Sequence, residues 1–438
     1  MSRHGLQSAS ASGAGGTEGY PSAWRRWAGR PIDPRLAVIL CVIVTMMDGY
    51  DILILSFAAP LIRLAWRLTP QQLGVLFASG VAGMAVGGIA LAPLADRLGR
   101  RTTVLWCLLV ATVSMLFSAA SQSFAQLMVC RFATGLGVGG MMPVINSVVA
   151  ELAARRWRNL KIAIQAAGYP IGGTVGGVVA LAFMSVHGWR WLLWSGGCFS
   201  AVLTLLVWAS LPESLVVSGI AGSSVQGTHQ VDRRPSPAQR VAFSAVLGPD
   251  LLRSTVLICG ATFLVQFSFY FIVNWLPSLL VAARSNLGLP GAVWLNLGGI
   301  PGDIAFGLLA LRFRPRLLGA SATIACFTAV LGVAGLPRAA WLLLPATCVT
   351  GSLLFASMAS IYVIAPAVFP PLARSTGTGL ALSVGRIGAI LGPIAGGLLM
   401  GNAPRTAMVI LVLLASPLVM ASLLLASLRR TPATDGEL

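Results

Sequence analysis

Uncharged apolar runs of about twenty residues recur along the whole chain, and no other feature restricts its fold so tightly. At about 1.5 Å per residue, each run crosses about 30 Å of hydrocarbon as one helix. Twelve are legible, beginning near Leu36, Leu73, Thr103, Ala125, Leu160, Arg190, Leu251, Pro290, Leu317, Arg338, Ser375 and Pro404. Helices are required because lipid offers open backbone no partner, and the alternating pattern of barrel strands is absent. Only 10% of the 438 residues are charged, against about 25% in soluble domains.

The net charge of +18 raises the question of a nucleic-acid partner, and its distribution argues against one. With the N-terminus assigned to the cytoplasm, 22 of the 30 Lys and Arg fall in the N-terminal tail and on that side of the membrane. Six fall on the other side and two, Arg131 and Arg386, lie inside spans. This bias orients a membrane protein with both termini inside.

Residues 1–35 are rich in Gly, Ser and Ala and lack a short apolar core with a cleavage site; they read as a disordered cytoplasmic tail. Residues 212–250 read as a flexible cytoplasmic linker, rich in Ser, Gly and Pro. Six-helix bundles are expected over 36–211 and 251–428, with a cytoplasmic tail over 429–438. The halves echo each other: "ADRLGRR" follows the second span and "ALRFRPR" the eighth, while "GYPIGG" in the fifth matches "GPIAGG" in the eleventh. Duplicated halves commonly enclose a site at mid-membrane and rock about it. The seven cysteines are scattered through apolar spans without metal-like spacing and read as packing residues. No metal or cofactor is expected, and His4, His187 and His229 fall outside the span interiors.

Charges inside the spans are the functional signal. "MMDGYDILILSFAAPLI" (46–62) carries Asp48 and Asp51 within an otherwise uncharged run, and each costs about 2.5–3.5 kcal/mol to insert. From helix rise, they lie about 18 and 22 Å from the inner face, Arg131 about 21 Å and Arg386 about 16 Å. Two acids and two arginines thus share one level, and the acids, three residues apart, face one side of their helix. Guanidinium binds carboxylate bidentately and keeps its charge through a transport cycle. Bringing a proton with an anion cancels the opposing potential, about 2.3 kcal/mol per charge per 100 mV. The expected assignment is Arg386 on a substrate carboxylate and Asp48 or Asp51 on the proton, with Arg131 tuning the acid. In the seventh span Gln266, Tyr270 and Asn274 recur every four residues and share a face. Trp275 beside them suits a stacking partner or an interfacial anchor equally. Tyr169, Asn146 and Tyr362 are further lining candidates; Asp303, about 20 Å below the outer face, matches no motif.

"LADRLGRR" (94–101) resembles the inner-loop signature of the major facilitator superfamily, and the likeness runs over nearly all of 36–428. More narrowly, "DGYD" (48–51), "RFATGLGVGGMMPVINSVVAEL" (131–152), "GWRWLLWSGG" (188–197), "LPES" (211–214) and "GRIGAILGP" (385–393) resemble the aromatic acid:proton symporter branch. The resemblance implies an all-α fold of twelve helices in two pseudo-symmetric six-helix bundles, and proton-coupled uptake of an aromatic or related organic acid. It implies the same charged residues, with inner-gate roles for Asp96, Arg97, Arg100, Arg101 and Glu151. Two positions depart from the signature: Ala92 stands for its leading glycine, and Leu311 for the aspartate of the second copy.

A proton-driven efflux antiporter is the nearest rival. Its Gly-x-x-x-Gly-Pro-x-x-Gly-Gly pattern belongs in the fifth span, but here it occurs in the eleventh, at Gly388, Gly392, Pro393, Gly396 and Gly397. A non-transporting sensor needs an output domain that neither tail nor linker is long enough to fold. An enzyme is not expected: there is no HExxH, no nucleophile–histidine set and no nucleotide loop. The expected partners are the lipid bilayer, a small organic acid and protons, with a monomer as the unit. A fluorescent protein that matures only in the cytoplasm, fused within 220–235, should fluoresce, whereas alkaline phosphatase there should stay inactive; the reverse pattern would invert the topology.

Overall fold

The computed structural model describes residues 34–91, 100–152, 158–210, 246–283, 287–337, 339–370, 373–402 and 407–428. Within them run α1 (Pro34–Trp66), α2 (Pro70–Ala90), α3 (Arg100–Ala120), α4 (Phe124–Leu152), α5 (Arg158–Ala166), α6 (Gly168–Ser210), α7 (Pro249–Ala282), α8 (Gly288–Leu309), α9 (Pro315–Gly335), α10 (Ala340–Val368), α11 (Arg374–Asn402), α12 (Ala407–Ala415) and α13 (Pro417–Ser427). Local chemistry sets several starts. At α2, Thr69 Oγ1 accepts from Gln72 N at 3.2 Å while Gln72 Oε1 accepts from Thr69 N at 2.9 Å, a reciprocal cap with proline in the first turn.

Eleven helical stretches among the described residues are long and apolar enough to cross a membrane. One of them, Lys161–Ser210, has 50 residues, or about 75 Å, far more than one crossing needs. It breaks at Gly188, where φ is +77°, a conformation that glycine adopts without a Cβ penalty. The ring of Tyr50 lies beside both Gly176 and Gly196, within 3.2 and 3.0 Å of where a Cβ would stand. The two limbs of α6 therefore fold back on each other as two crossings. With α5 leading into the first limb, and α12 and α13 forming the last crossing, the total is twelve.

Helix contacts repeat with an offset of six crossings. In the first half α1 packs on α6, α2 on α4 and α3 on α6; in the second, α7 packs on α11, α8 on α10 and α9 on α13. Glycine brings the backbones together. A Cβ on Gly172 would stand 1.8 Å from Met46 O, and one on Gly49 1.9 Å from Tyr169 O, so α1 and α6 touch backbone to backbone. Such contacts drive association where lipid removes the hydrophobic contrast between helices.

The halves meet along α2–α11 and α6–α8. We call the end holding the start of α1 and the end of α13 the terminal end, and the other the distal end. The distal end is closed. Ser56 Oγ donates to Asn274 O at 2.7 Å and lies 3.1 Å from Val273 O, tying α1 to α7. Phe77 of α2 meets Trp275 edge-on at 5.5 Å. Gly74 abuts Pro393 O, where a Cβ would leave no room.

Gly172→Leu should destabilise the detergent-solubilised protein by about 3 kcal/mol, the upper end of the usual overpacking cost, because a backbone carbonyl cannot step aside. Gly332→Ala, with nothing within 4 Å, should be neutral or slightly stabilising; thermal unfolding of both variants checks the pair.

Candidate functional site

Asp48 and Asp51 lie near the middle of α1, and both are buried, as their spacing predicts. Their partners differ. Asp51 Oδ1 accepts from Arg131 Nη1 at 2.6 Å, the one ion pair among the described residues. The rest of that guanidinium is held within the first half: Nε and Nη2 donate to Ser118 Oγ at 3.2 and 2.9 Å, and Nη2 reaches Thr134 Oγ1 at 3.3 Å. Arg131 is thus surrounded by fixed acceptors on α1, α3 and α4. A cavity of ≈ 20 Å³ adjoins the pair, lined among others by Asn274, Met84 and Phe77, with room for about one water.

Asp48 lacks such a partner. Its Oδ1 is buried without a hydrogen bond among the described residues, and Arg386 and Asp51 are the charges that act on it. Arg386, from α11, uses Nη1 alone, donating to Tyr270 OH at 3.2 Å and lying 3.8 Å from Met84 Sδ. Of the five N–H donors on a guanidinium, most remain uncommitted among the described residues. The four charges divide into one closed pair, Asp51 with Arg131, and one open arrangement, Asp48 with Arg386.

The face predicted on α7 is also present. Gln266 packs where a Cβ on Gly385 would sit, and its Oε1 is buried without a partner among the described residues. Tyr270 holds Arg386, while Asn274 Nδ2 donates back to Tyr270 O at 2.7 Å. Tyr169, at the start of α6, has a buried hydroxyl with no partner among the described residues and lies within electrostatic reach of Asp48, Arg386, Tyr270 and Tyr362. Its ring forms a cluster with Phe269 and Phe355 at 6.3 and 6.0 Å. Tyr362 acts on the same charges yet is 38% exposed. Since those charges lie at the centre of the bundle, that exposure marks a cleft between the halves rather than the outer surface.

Trp275 is not an interfacial anchor. It is fully buried, its Nε1 donates to Pro393 O at 2.9 Å, and its ring edge faces Phe77. The distal closure holds it, so it borders the site as a wedge rather than offering a free face. Asn146 is exposed on α4. Asp96 and Arg97 lie outside the described residues, as do the side chains of Arg100 and Glu151. Arg101 Nη2 donates to Trp208 O at 2.6 Å, joining α3 to the second limb of α6 within one half.

Ser118, Thr134 and Met84 complete the surroundings of the arginines and carry no sequence signal of their own. Small hydroxyls in apolar helices ordinarily bond the carbonyl three or four residues back, as Ser118 does with Ser114 O and Thr134 with Cys130 O.

Comparison with known proteins agrees with this architecture. Residues 41–393 match the family model described as Major Facilitator Superfamily. The chain is 26% identical to the gallate transporter of Pseudomonas putida, covering 83% of this chain and 84% of the relative. It is 28% identical to the 3-(3-hydroxy-phenyl)propionate transporter of Escherichia coli K12, over 83% and 86%. The same identity holds with the 4-hydroxybenzoate transporter PcaK of Acinetobacter baylyi, over 84% and 85%. In structure it resembles the inward-open xylose transporter XylE from E. coli, with a TM-score of 0.71 at 14% identity over 92% of this chain and 98% of that one. A bacterial homologue of the lysosomal transporter Spinster superposes with a TM-score of 0.65 at 20% identity, over 92% and 100%. Matched over most of its length by the family model, and built as twelve crossings around buried charge, the chain belongs to the Major Facilitator Superfamily and is a multi-pass membrane transporter rather than an enzyme.

Proposed function

We propose that this protein takes up an aromatic or related organic acid anion together with protons, by alternating access across the cell inner membrane, as a monomer with both termini in the cytoplasm. The observation that carries this reading is the contrast between its two buried arginines. Arg131 is surrounded by acceptors, whereas Arg386 keeps donors uncommitted among the described residues, beside a carboxylate, Asp48, whose Oδ1 has no hydrogen-bond partner among them. A free guanidinium at the head of a cleft suits a carboxylate guest, which it binds bidentately. Tyr270 holds Arg386 in place, and Tyr169 and Gln266 bring further polar atoms that lack partners.

The substrates of the relatives support the class, since gallate, hydroxyphenylpropionate and 4-hydroxybenzoate are all aromatic carboxylates. In this reading Asp48 carries the proton. When the guest carboxylate occupies Arg386, Asp48 loses its nearest positive charge and takes up a proton; when the guest leaves, the proton leaves with it. Asp51 stays tied to Arg131 and holds α1 in register with α3 and α4. The closed distal end and open cleft correspond to the inward-facing state of the cycle. The gating roles of Asp96, Arg97, Arg100, Arg101 and Glu151 belong to the same proposal, as residues of the cytoplasmic gate.

Purified protein in liposomes should alkalinise the outside medium when benzoate, 4-hydroxybenzoate, gallate, 3-phenylpropionate or muconate is added, and accumulate the active acids against a pH gradient. Uptake of neutral sugars with no response to any acid would overturn the substrate class, and proton-driven expulsion would reverse the direction. Arg386→Lys should lower transport about 10- to 100-fold through loss of a charge-assisted bidentate contact. Asp48→Asn should abolish accumulation driven by the pH gradient while keeping exchange of labelled for unlabelled substrate. Unchanged accumulation in that variant would remove Asp48 from the proton path.

A further inference from the structure

One buried acid takes no part in the site described above. Asp303, on α8, is 4% exposed and makes no hydrogen bond or ion pair among the described residues. Its position in the fold can be read from its helix neighbours. Val293, Asn296, Asp303 and Gly307 follow one another at spacings of three, seven and four, which places them on one side of α8. The first half packs against that stripe. Val293 fills the space beside Gly177, Asn296 the space beside Gly173, and Ala163 meets Gly307. Asp303 therefore sits in the seam between the halves, opposite the break between α5 and α6 at Ala167.

The elements packed on α8 are α10, α6, α7 and α5. From α10, Tyr362 acts electrostatically on Asp303, and also on Arg386 and Asp48. On α6 and α5, Gly177, Gly173 and Ala163 meet this stripe, and α7 touches α8 through Pro277, Leu280 and Val281 near Gly288 and Gly291; these six residues are not titratable. A carboxylate with no ion pair or hydrogen bond among the described residues is tolerated in such surroundings when it carries a proton. Tyr362, 38% exposed, lies within electrostatic reach of both Asp303 and the arginine site.

We propose that Asp303 is a second proton-binding carboxylate, joined to the Arg386–Asp48 site through Tyr362, so that about two protons accompany each monoanionic substrate. This rests on the symport reading above and adds its stoichiometry. The proton enters as the acid form of Asp303 and returns to water through the cleft when the seam between α5–α6 and α8 shifts; nothing is oxidised or reduced. Net transport then moves one positive charge inward. A potential of 100 mV, negative inside, should raise accumulation about fifty-fold over the pH gradient alone.

The test measures the ratio of protons to 4-hydroxybenzoate in liposomes of the full-length protein, with the potential set by potassium and valinomycin. The expected wild-type ratio is about two, with strong dependence on potential. Asp303→Asn should lower it to about one and make uptake indifferent to potential, while Asp303→Glu restores the wild-type behaviour. A wild-type ratio of one overturns the inference and leaves symport standing, as does an Asp303→Asn ratio still at two. If no acid of the panel is transported, the symport reading fails instead. Infrared spectra then decide Asp303 independently of substrate: a protonated carboxylic carbonyl band present in wild type and missing from folded Asp303→Asn supports the site, and identical bands in both overturn it.

Discussion

The contact on which the first half depends is the single-point ion pair of Arg131 with Asp51. Two charges withdrawn from water are tolerated only where good geometry and further hydrogen bonds surround them, and Ser118 and Thr134 supply those bonds. Removing either partner leaves the other charge uncompensated, which costs about 3–5 kcal/mol in buried pairs generally. The pair also joins α1, α3 and α4 at the depth where Asp48 emerges, so a fixed pair positions a free acid. The pair lies wholly inside the first half, whereas Arg386 belongs to the second.

That division gives the glycine contacts their meaning. Within each half the helices approach until backbone meets backbone, as at Gly172 with Met46 and at Gly351 with Leu295. Between the halves the contacts are mixed: a hydroxyl on two carbonyls, an indole edge on a ring, an amide against a glycine. Glycine also brings the halves together, at Gly74 with Pro393 O and at Gly397 with Pro70 O, so the boundary combines close backbone approach with polar and aromatic contacts. The polar atoms without partners, on Asp48, Tyr169, Gln266 and Asn296, lie on helices that meet at that boundary.

Much of this was legible from the chain alone, for identifiable reasons. The starts read from hydropathy fall within a few residues of the helices, because the bilayer fixes the length of a crossing and Pro70, Pro249 and Pro315 mark first turns. Depth arithmetic placed Asp48, Asp51, Arg131 and Arg386 at one level, since helix rise converts sequence distance into height. It carries no azimuth between helices, however. Which arginine meets which aspartate, and that Ser118 cradles Arg131, depend on how α1, α3 and α4 turn toward one another. Trp275 was ambiguous for the same reason: a tryptophan near a span end reads alike whether it meets headgroups or Phe77. The joined fifth and sixth crossings were separable in sequence only through the polar "HGWRW", and in the fold Gly188 makes the turn.

The distal closure contains no ion pair among the described residues; it is made from Ser56, the Phe77–Trp275 edge contact and the glycine approach at Pro393. A gate of neutral dipoles and rings is insensitive to ionic strength, since counterions screen only charge. It is also shallow energetically, because each neutral hydrogen bond contributes about 0.5–1.5 kcal/mol net. A closure of this kind has no ion pair among the described residues to dislodge.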